Sequence, residues 1–456
     1  MEKLMPVKTG DLILLKIEGL GSGGEGVGRY ENFTVFVKGA LPEEKVEAVI
    51  TLVKKSYAVG RLEKIITESS ERVAPACPVY AECGGCQLQH LSYSGQLRAK
   101  RQQVEDALRR IGHTEVTVLP AIGAASPFNY RNKMQLPASG AGETLAIGCY
   151  AALTHRVIAT DRCLIQKEAN NQVLEVVRRW MRRFNISAYD EKTGKGLVRH
   201  VMARVGAASG EVMAVLVTSG YDLPHRKELI ERLIKFVPGL TSVILNINKK
   251  PGNVVMGPKT RLLWGREAIT ERLGHLSFTI SAQSFFQVNS EQAQKLYNKA
   301  IEYASLTGKE TVVDVYCGTG TISLYAARHA RKVYGVEIVA AAVEDARVNA
   351  QKNGCLNVEF ISGDAAEALA ALFASGVRPD VAFLDPPRAG CEEKVLAALA
   401  AAGPGRVVYV SCNPASLARD VKRLAQLGYD AAIAQPVDMF PMTMHIETVC
   451  LLSRRA

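Results

Sequence analysis

Two short motifs late in the chain hold the residues best suited to covalent chemistry, Leu384-Asp-Pro-Pro-Arg388 and Val410-Ser-Cys-Asn-Pro414. Each ends an apolar run of strand composition, Val381–Leu384 and Val407–Val410. The first sets Asp385 in a loop that two prolines stiffen, as a site gripping a flat base requires. The second sets a thiol, Cys412, at the carboxyl end of a strand. A thiolate there can add to C6 of a pyrimidine ring and load negative charge onto C5, which otherwise is a poor nucleophile toward a sulfonium methyl. A base must then remove the C5 proton, and Glu447 in His445-Ile-Glu-Thr-Val449 is the candidate. Methyl transfer to an exocyclic amine would need no thiol. Taken singly, a cysteine is most often a small core residue, a proline simply ends a strand, and a late glutamate is solvated. Cys412 lies 27 residues after Asp385, at a strand end in the same sheet as the glycine loop described next, and that placement reverses the preference for it.

Asp314-Val-Tyr-Cys-Gly-Thr-Gly-Thr321 follows another apolar run, Thr311–Val315, and its glycines 318 and 320 let backbone approach a ligand. A dinucleotide fingerprint needs a third glycine where Ser323 stands, which weakens a nicotinamide reading. The acid before the loop suits a cofactor with a cationic amino-acid moiety, and S-adenosylmethionine is one. Glu337, at the end of the next strand, lies where a carboxylate can accept from both ribose hydroxyls. Asp364 serves equally as an acceptor for an adenine amine or as a helix N-cap.

Cys77-x5-Cys83-x2-Cys86 sits among Pro75, Pro78, Gly84 and Gly85, with Cys163 available as a fourth ligand. Three close thiols in so irregular a segment point to bound metal. Structural zinc and a [4Fe-4S] cluster stand even on spacing, while the Cys-x3-Cys-x2-Cys spacing of radical enzymes is absent. The remaining cysteines, Cys149 among them, read as ordinary thiols.

These residues need elements to hold them. Residues 8 to 68 read as about five short strands broken by glycine, a small β-barrel. A mixed α+β stretch follows, with a helix over 93–111 and strands at 211–218 and 242–247. From 281, strands alternate with helices, which implies right-handed βαβ units, a mainly parallel sheet and a ligand crevice at the strands' carboxyl ends. The expected domains are 1–67, 68–280 and 281–456. The net charge of +11 favours a polyanionic partner. Residues 92–200 carry 17 Lys and Arg against 9 Asp and Glu, in clusters such as Arg109-Arg110 and Arg178-Arg179, so phosphate contacts are expected there. No apolar run approaches the roughly 20 residues that span a bilayer, and residues 1–10 lack a signal-peptide core. A cytoplasmic protein with reduced, metal-bound or catalytic cysteines is the expectation.

With these residues quoted, the chain resembles the bacterial RNA uracil-5 methyltransferase family, on the branch that modifies large-subunit (23S) ribosomal RNA. Residues 21–29 and Phe36-Val-Lys-Gly-Ala-Leu-Pro42 resemble its RNA-binding TRAM barrel, and Ser284-Phe-Phe-Gln-Val-Asn289 joins the motifs above. The resemblance implies a multidomain α/β protein: an N-terminal OB-like barrel, a central α+β domain with an iron-sulfur cluster, and a Rossmann-like methyltransferase domain. It implies Gln287, Tyr316, Glu337 and Asp385 as S-adenosylmethionine-binding residues, Cys412 as nucleophile, Glu447 as base, and Cys77, Cys83, Cys86 and Cys163 as [4Fe-4S] ligands. Thr321 departs from the family, where many members carry Asn. The transfer-RNA branch generally lacks barrel and cluster, so 23S ribosomal RNA is the expected partner of a monomer that contacts no membrane. Competing expectations are a transfer-RNA uridine or cytosine C5 methyltransferase, and an RNA-binding assembly factor with a vestigial site.

Overall fold

The computed structural model describes residues 5–455. Strands β1 (Leu12–Leu20), β2 (Gly26–Tyr30), β3 (Phe33–Lys38), β4 (Lys45–Val53) and β5 (Tyr57–Thr67) close a barrel in the order β1-β2-β3-β5-β4. Strict alternation drives this closure: Ile13, Leu15 and Ile17 of β1 and Val46, Ala48 and Ile50 of β4 point inward, and their neighbours face out. Beneath the barrel, fully buried Glu44 accepts from the Leu41 amide (2.8 Å) and from Arg72 Nε (2.6 Å), which pins the barrel to the chain that leaves it.

Helix α1 (Tyr93–Arg110) starts where the Ser92 side chain accepts from the Gly95 amide (3.0 Å). It leads to the short strand β6 (Thr117–Val118). The central sheet then forms from β7 (Lys133–Ser139), β8 (Ala146–Ile147), β9 (Val198–Val205), β10 (Val212–Thr218), β11 (Leu240–Ile247) and β12 (Lys259–Gly265), in the order β12-β11-β10-β9-β7-β8. Helices α2 (Glu168–Arg183) and α3 (Arg226–Phe236) cover one face. Every residue of β10 is buried, and its period of two divides it: Val212, Ala214 and Leu216 pack under the helices, while Met213 and Val215 join the core of the C-terminal part. The hairpin β13 (Ala268–Leu273) and β14 (Leu276–Ser281) lies in that second core.

The C-terminal part runs α4 (Ser290–Ala304), β15 (Thr311–Val315), α5 (Thr321–Ala327), β16 (Lys332–Glu337), α6 (Ala340–Lys352), β17 (Val358–Ser362), α7 (Ala365–Ala374), β18 (Val381–Leu384), α8 (Glu393–Ala402), β19 (Arg406–Ser411), α9 (Pro414–Gln426), β20 (Tyr429–Val437) and β21 (Glu447–Arg454). Its sheet has eight strands in the order β17-β16-β15-β18-β19-β21-β20-β6. The winding reverses between β15 and β18, the switch point where ligands of open α/β sheets bind. Strands β15 to β19 are parallel, as the alternation predicts, but β21 is antiparallel to both neighbours. Because β21 runs backwards, its first residue lies beside the last residues of β19. The sequence reading did not anticipate that segment 93–118 would join this part: α1 packs on α9, and β6 pairs with β20 at the sheet edge. Among the described residues, no helix is long and apolar enough to cross a membrane.

Candidate active site and cysteine cavity

A cavity of about 500 Å3 opens at the carboxyl ends of β15, β18 and β19, and its wall brings together Gln287, Tyr316, Asp385, Cys412 and Glu447. Glu337, the sixth expected residue, is not on that wall. It stands behind the glycine loop, where Oε2 accepts from the Gly318 amide (3.0 Å) and Oε1 from the Val339 amide (2.9 Å). Each oxygen keeps a lone pair for a further donor.

The loop after β15 is held by backbone that few residues tolerate. Tyr316 has φ +68° and Gly320 has φ +81°, and a Cβ at residue 320 would lie 2.8 Å from Phe360 Cζ. Under the loop, Asp314 is fully buried. Ser323 Oγ donates to its Oδ2 (2.5 Å), and Oδ1 has no partner. Burial foremost, with Asp385 and Glu337 adding, pushes its carboxyl up to about 7. A buried acceptor without a donor on a cavity wall fits a ligand that brings a cationic amine, and S-adenosylmethionine brings one. Ser323, where a dinucleotide fingerprint wants glycine, is the residue that holds Asp314.

Cys412 lies between the end of β19 and Asn413, the N-cap of α9, whose side chain accepts from the Ala415 amide (3.0 Å). Asn413 Nδ2 also donates to the Arg388 carbonyl (3.0 Å), fastening the cysteine loop to the Asp-Pro-Pro-Arg loop. Glu447 is there because Ser411 pairs with Thr448 across the antiparallel ladder. Burial pushes the Glu447 carboxyl well above the usual range, with Asp385 adding and Arg388 opposing. Burial alone lifts Asp385 to about 7. The Cys412 thiol is raised by burial, then by Glu447, and Arg388 works against both. All three shifts run in the direction that favours the protonated form.

Arg131, Phe285, Phe440 and His445 also line the cavity, and sequence reasoning gave them no role. Arg388 and His445 stood inside motifs already quoted, whereas nothing local to Arg131 signals that it will line the cavity of Cys412. Asp364 is a helix N-cap, accepting from the Ala366 (3.1 Å) and Glu367 (3.2 Å) amides.

A second cavity, of about 470 Å3, is ringed by Cys77, Cys83, Cys86 and Cys163, together with Cys149, which had read as an ordinary thiol. Gly85 N donates to Cys83 Sγ (3.4 Å), the kind of donor that steadies a sulfur ligand. Among the described residues no three His, Cys, Asp or Glu side chains converge tightly enough to hold one metal ion. All ten cysteines are free thiols. Arg131, Phe285, Phe286 and Val288 form part of both cavity walls. The basic clusters are largely paired with carboxylates: Arg98 with Glu71, Arg109 and Arg110 with Asp106, Arg178 with Asp161 and Glu175.

A doubly wound sheet with an orphaned acid under its glycine loop, joined to a small barrel, defines a class: methyltransferases that use S-adenosylmethionine, with an accessory domain for RNA. Residues 253–455 match the family model of tRNA (uracil-5-)-methyltransferase, and residues 6–62 match that of the TRAM domain. A Clostridium acetobutylicum protein named as an uncharacterized RNA methyltransferase is 47% identical over 100% of this chain and 99% of its own. One of the same description from Halalkalibacterium halodurans is 49% identical over 98% of each chain. The chain belongs to the RNA uracil-5 methyltransferase family and is an RNA (uracil-5-)-methyltransferase dependent on S-adenosylmethionine. Among solved structures, the Pyrococcus abyssi tRNA (uracil-54, C5)-methyltransferase in complex with S-adenosyl-L-homocysteine is 29% identical. It superposes with a TM-score of 0.77, covering 96% of this chain and 100% of its own.

Proposed function

We propose that the enzyme methylates C5 of a uridine in 23S ribosomal RNA through a transient bond between Cys412 and C6 of the base. The observation that carries this reading is the meeting of Cys412, Asp385 and Glu447 on one wall, beside the unpartnered acceptor of Asp314. S-adenosylmethionine, when bound, supplies an electrophilic methyl. Gln287, Tyr316, Glu337 and Asp385 would hold that cofactor, the unpaired oxygen of Asp314 would suit its amine, and Thr321 stands where many relatives carry Asn. The Cys412 thiolate bonds to C6, and the electron pair of the C5–C6 double bond moves onto C5 and the adjoining carbonyl. C5 would then bond to the methyl carbon as the bond from that carbon to the sulfonium sulfur breaks, its electron pair returning to sulfur and leaving S-adenosylhomocysteine. Glu447 takes the proton left on C5, the double bond returns and the C6–sulfur bond breaks, freeing thiolate and product. Arg388 offsets the two carboxylates that oppose thiolate formation.

A [4Fe-4S] cluster held by Cys77, Cys83, Cys86 and Cys163 belongs to the same proposal. An all-sulfur donor set around a hollow suits a polynuclear cluster, whereas zinc draws its sulfurs to about 2.3 Å from one centre. When bound, the cluster would supply a cross-link between residues 77–86 and the loop of Cys163, behind the wall that carries Arg131 and Phe285. A cytoplasmic monomer completes the proposal; ten unpaired thiols support the compartment.

One observation favours a transfer-RNA substrate instead. The Pyrococcus enzyme that acts on transfer RNA matches this chain almost end to end, so barrel and sheet do not by themselves select ribosomal RNA. Mapping 5-methyluridine in ribosomal and transfer RNA from cells with and without the gene decides. Loss of a ribosomal site supports the proposal, and loss confined to transfer RNA replaces its substrate.

A further inference from the structure

Three spaces share walls in sequence. A groove of about 920 Å3 runs between the barrel and α1, lined by Arg29 and Phe36 on one side and by Arg98, Gln102, Gln103 and Arg109 on the other. A chamber of about 140 Å3 follows, walled by Ser22, Gln103, Arg388, Cys412, Met444 and His445. Beyond it lies the catalytic cavity, which shares Arg388, Cys412 and His445 with the chamber. Gln103 is the residue common to groove and chamber.

Its amide oxygen is one of several buried side-chain atoms left unpaired, and it belongs to the residue where groove and chamber meet. Gln103 Oε1 is shut off from water and has no hydrogen-bond partner, although two turns of α1 around it are well paired: Gln96 Nε2 donates to the Leu88 (3.0 Å) and Leu91 (2.9 Å) carbonyls, and Gln102 Nε2 to Asp106 Oδ1 (3.0 Å). An unpaired buried polar atom is costly to the free protein, so a turn of the Gln103 side chain into the chamber it lines loses no hydrogen bond of the oxygen and can gain one. Exchanging the two ends of the amide leaves a buried donor in place of a buried acceptor, and the argument is the same.

We infer that Gln103 hydrogen-bonds the base of a nucleotide flanking the target uridine, which enters the chamber from the groove. The inference rests on the uridine C5 reading of the site and deepens it. The attacked base must lie between Cys412 and the methyl donor, which assigns it to the larger cavity with Asp314. The chamber meets Cys412 from the barrel side, so the chain of the same RNA passes through it. The arginines along the groove are matched by carboxylates, Arg98 with Glu71, Arg109 with Asp106 and Arg29 with Glu18 (3.9 Å), and they hold a backbone without reading it. An amide presents a donor and an acceptor together, the pattern that distinguishes one base edge from another. Ser22, at the tip of the barrel's first hairpin, brings the barrel to the same point and makes it part of the reading head.

The test uses the full chain and RNA fragments spanning the mapped methylation site, with each of the four bases placed immediately 5′ and 3′ of the target. Filter retention and methyl transfer are measured in parallel, and S-adenosyl-L-homocysteine binding checks folding. The wild type is expected to prefer one base at one flanking position by about tenfold in kcat/KM. Gln103→Ala should flatten that preference to within about twofold, and Gln103→Glu, which keeps the shape but removes the donor, should change which base is preferred. A preference unchanged in both variants overturns the inference while the methylation reading stands, as does a wild type indifferent to both neighbours. A wild type that retains RNA with the flanking preference but transfers no methyl sinks the functional reading and supports the inference.

Discussion

Replacing Lys100 by Met tests how the active-site wall is held. Lys100 is wholly buried in α1, where its Nζ contacts Asp438 Oδ1 at 2.5 Å and donates to the Phe440 carbonyl (3.1 Å). Asp438, equally buried, also accepts from the Tyr93 hydroxyl (2.9 Å), and its carbonyl accepts from Gln292 (3.0 Å). The pair thus clamps α1 to the segment between β20 and β21 that carries Phe440 and His445 into the cavity. Removing the lysine strands a buried carboxylate with one tyrosine for company, which costs about 3–5 kcal/mol. For a cooperative unit the size of the C-terminal part, that is a fall in Tm of roughly 6–20 °C. Lys100→Met with Asp438→Leu removes both charges, and apolar replacement of a buried pair is often near neutral, so the double variant should recover most of the loss. Differential scanning fluorimetry on the two single variants and the double variant measures the coupling, and RNA kinetics report the wall through KM. A single variant within about 1 °C of wild type, or losses that simply add in the double variant, would refute the clamp.

Glu447→Gln should still form the methylated adduct but release it slowly, leaving a protein–RNA band that survives denaturing electrophoresis; normal turnover would remove Glu447 as the base. Single-turnover rates should climb as pH rises from mildly acidic to alkaline. The thiol and the Glu447 carboxyl must both be deprotonated, and both are raised above their ordinary values, so lowering pH protonates each and slows the step; a rate falling over that range contradicts the assignment. Anaerobically purified protein should contain about four iron and four sulfide per chain, as a cubane requires. Zinc at one per chain would instead mark a mononuclear site.

What the sequence made legible was local. Alternation in residues 12–53 announces a barrel, and the strand–helix rhythm after 281 announces a parallel sheet, because each pattern is written in neighbouring residues. The antiparallel insertion of β21 is not, since an apolar run such as Thr448–Leu452 reads the same in either direction, yet that reversal is what carries Glu447 to Cys412. Long-range packing was equally silent. Nothing around Lys100 says that its ammonium will meet Asp438, and Cys149, alone between glycine and tyrosine, gives no sign that it will face Cys83 and Cys163 across a cavity. The arginine clusters were legible as charge, but not the carboxylates that fold beside them, such as Glu71 beside Arg98 and Asp106 beside Arg109.

The most direct measurement concerns the sulfur. An RNA carrying 5-fluorouridine at the target position blocks loss of the C5 substituent, so a thiol–C6 adduct that forms cannot resolve. Incubated with S-adenosylmethionine, the wild type should yield a stable protein–RNA complex whose crosslinked peptide contains Cys412, and Cys412→Ala should bind RNA yet give none. A crosslink that persists in Cys412→Ala, or maps to another residue, would contradict the account at its centre.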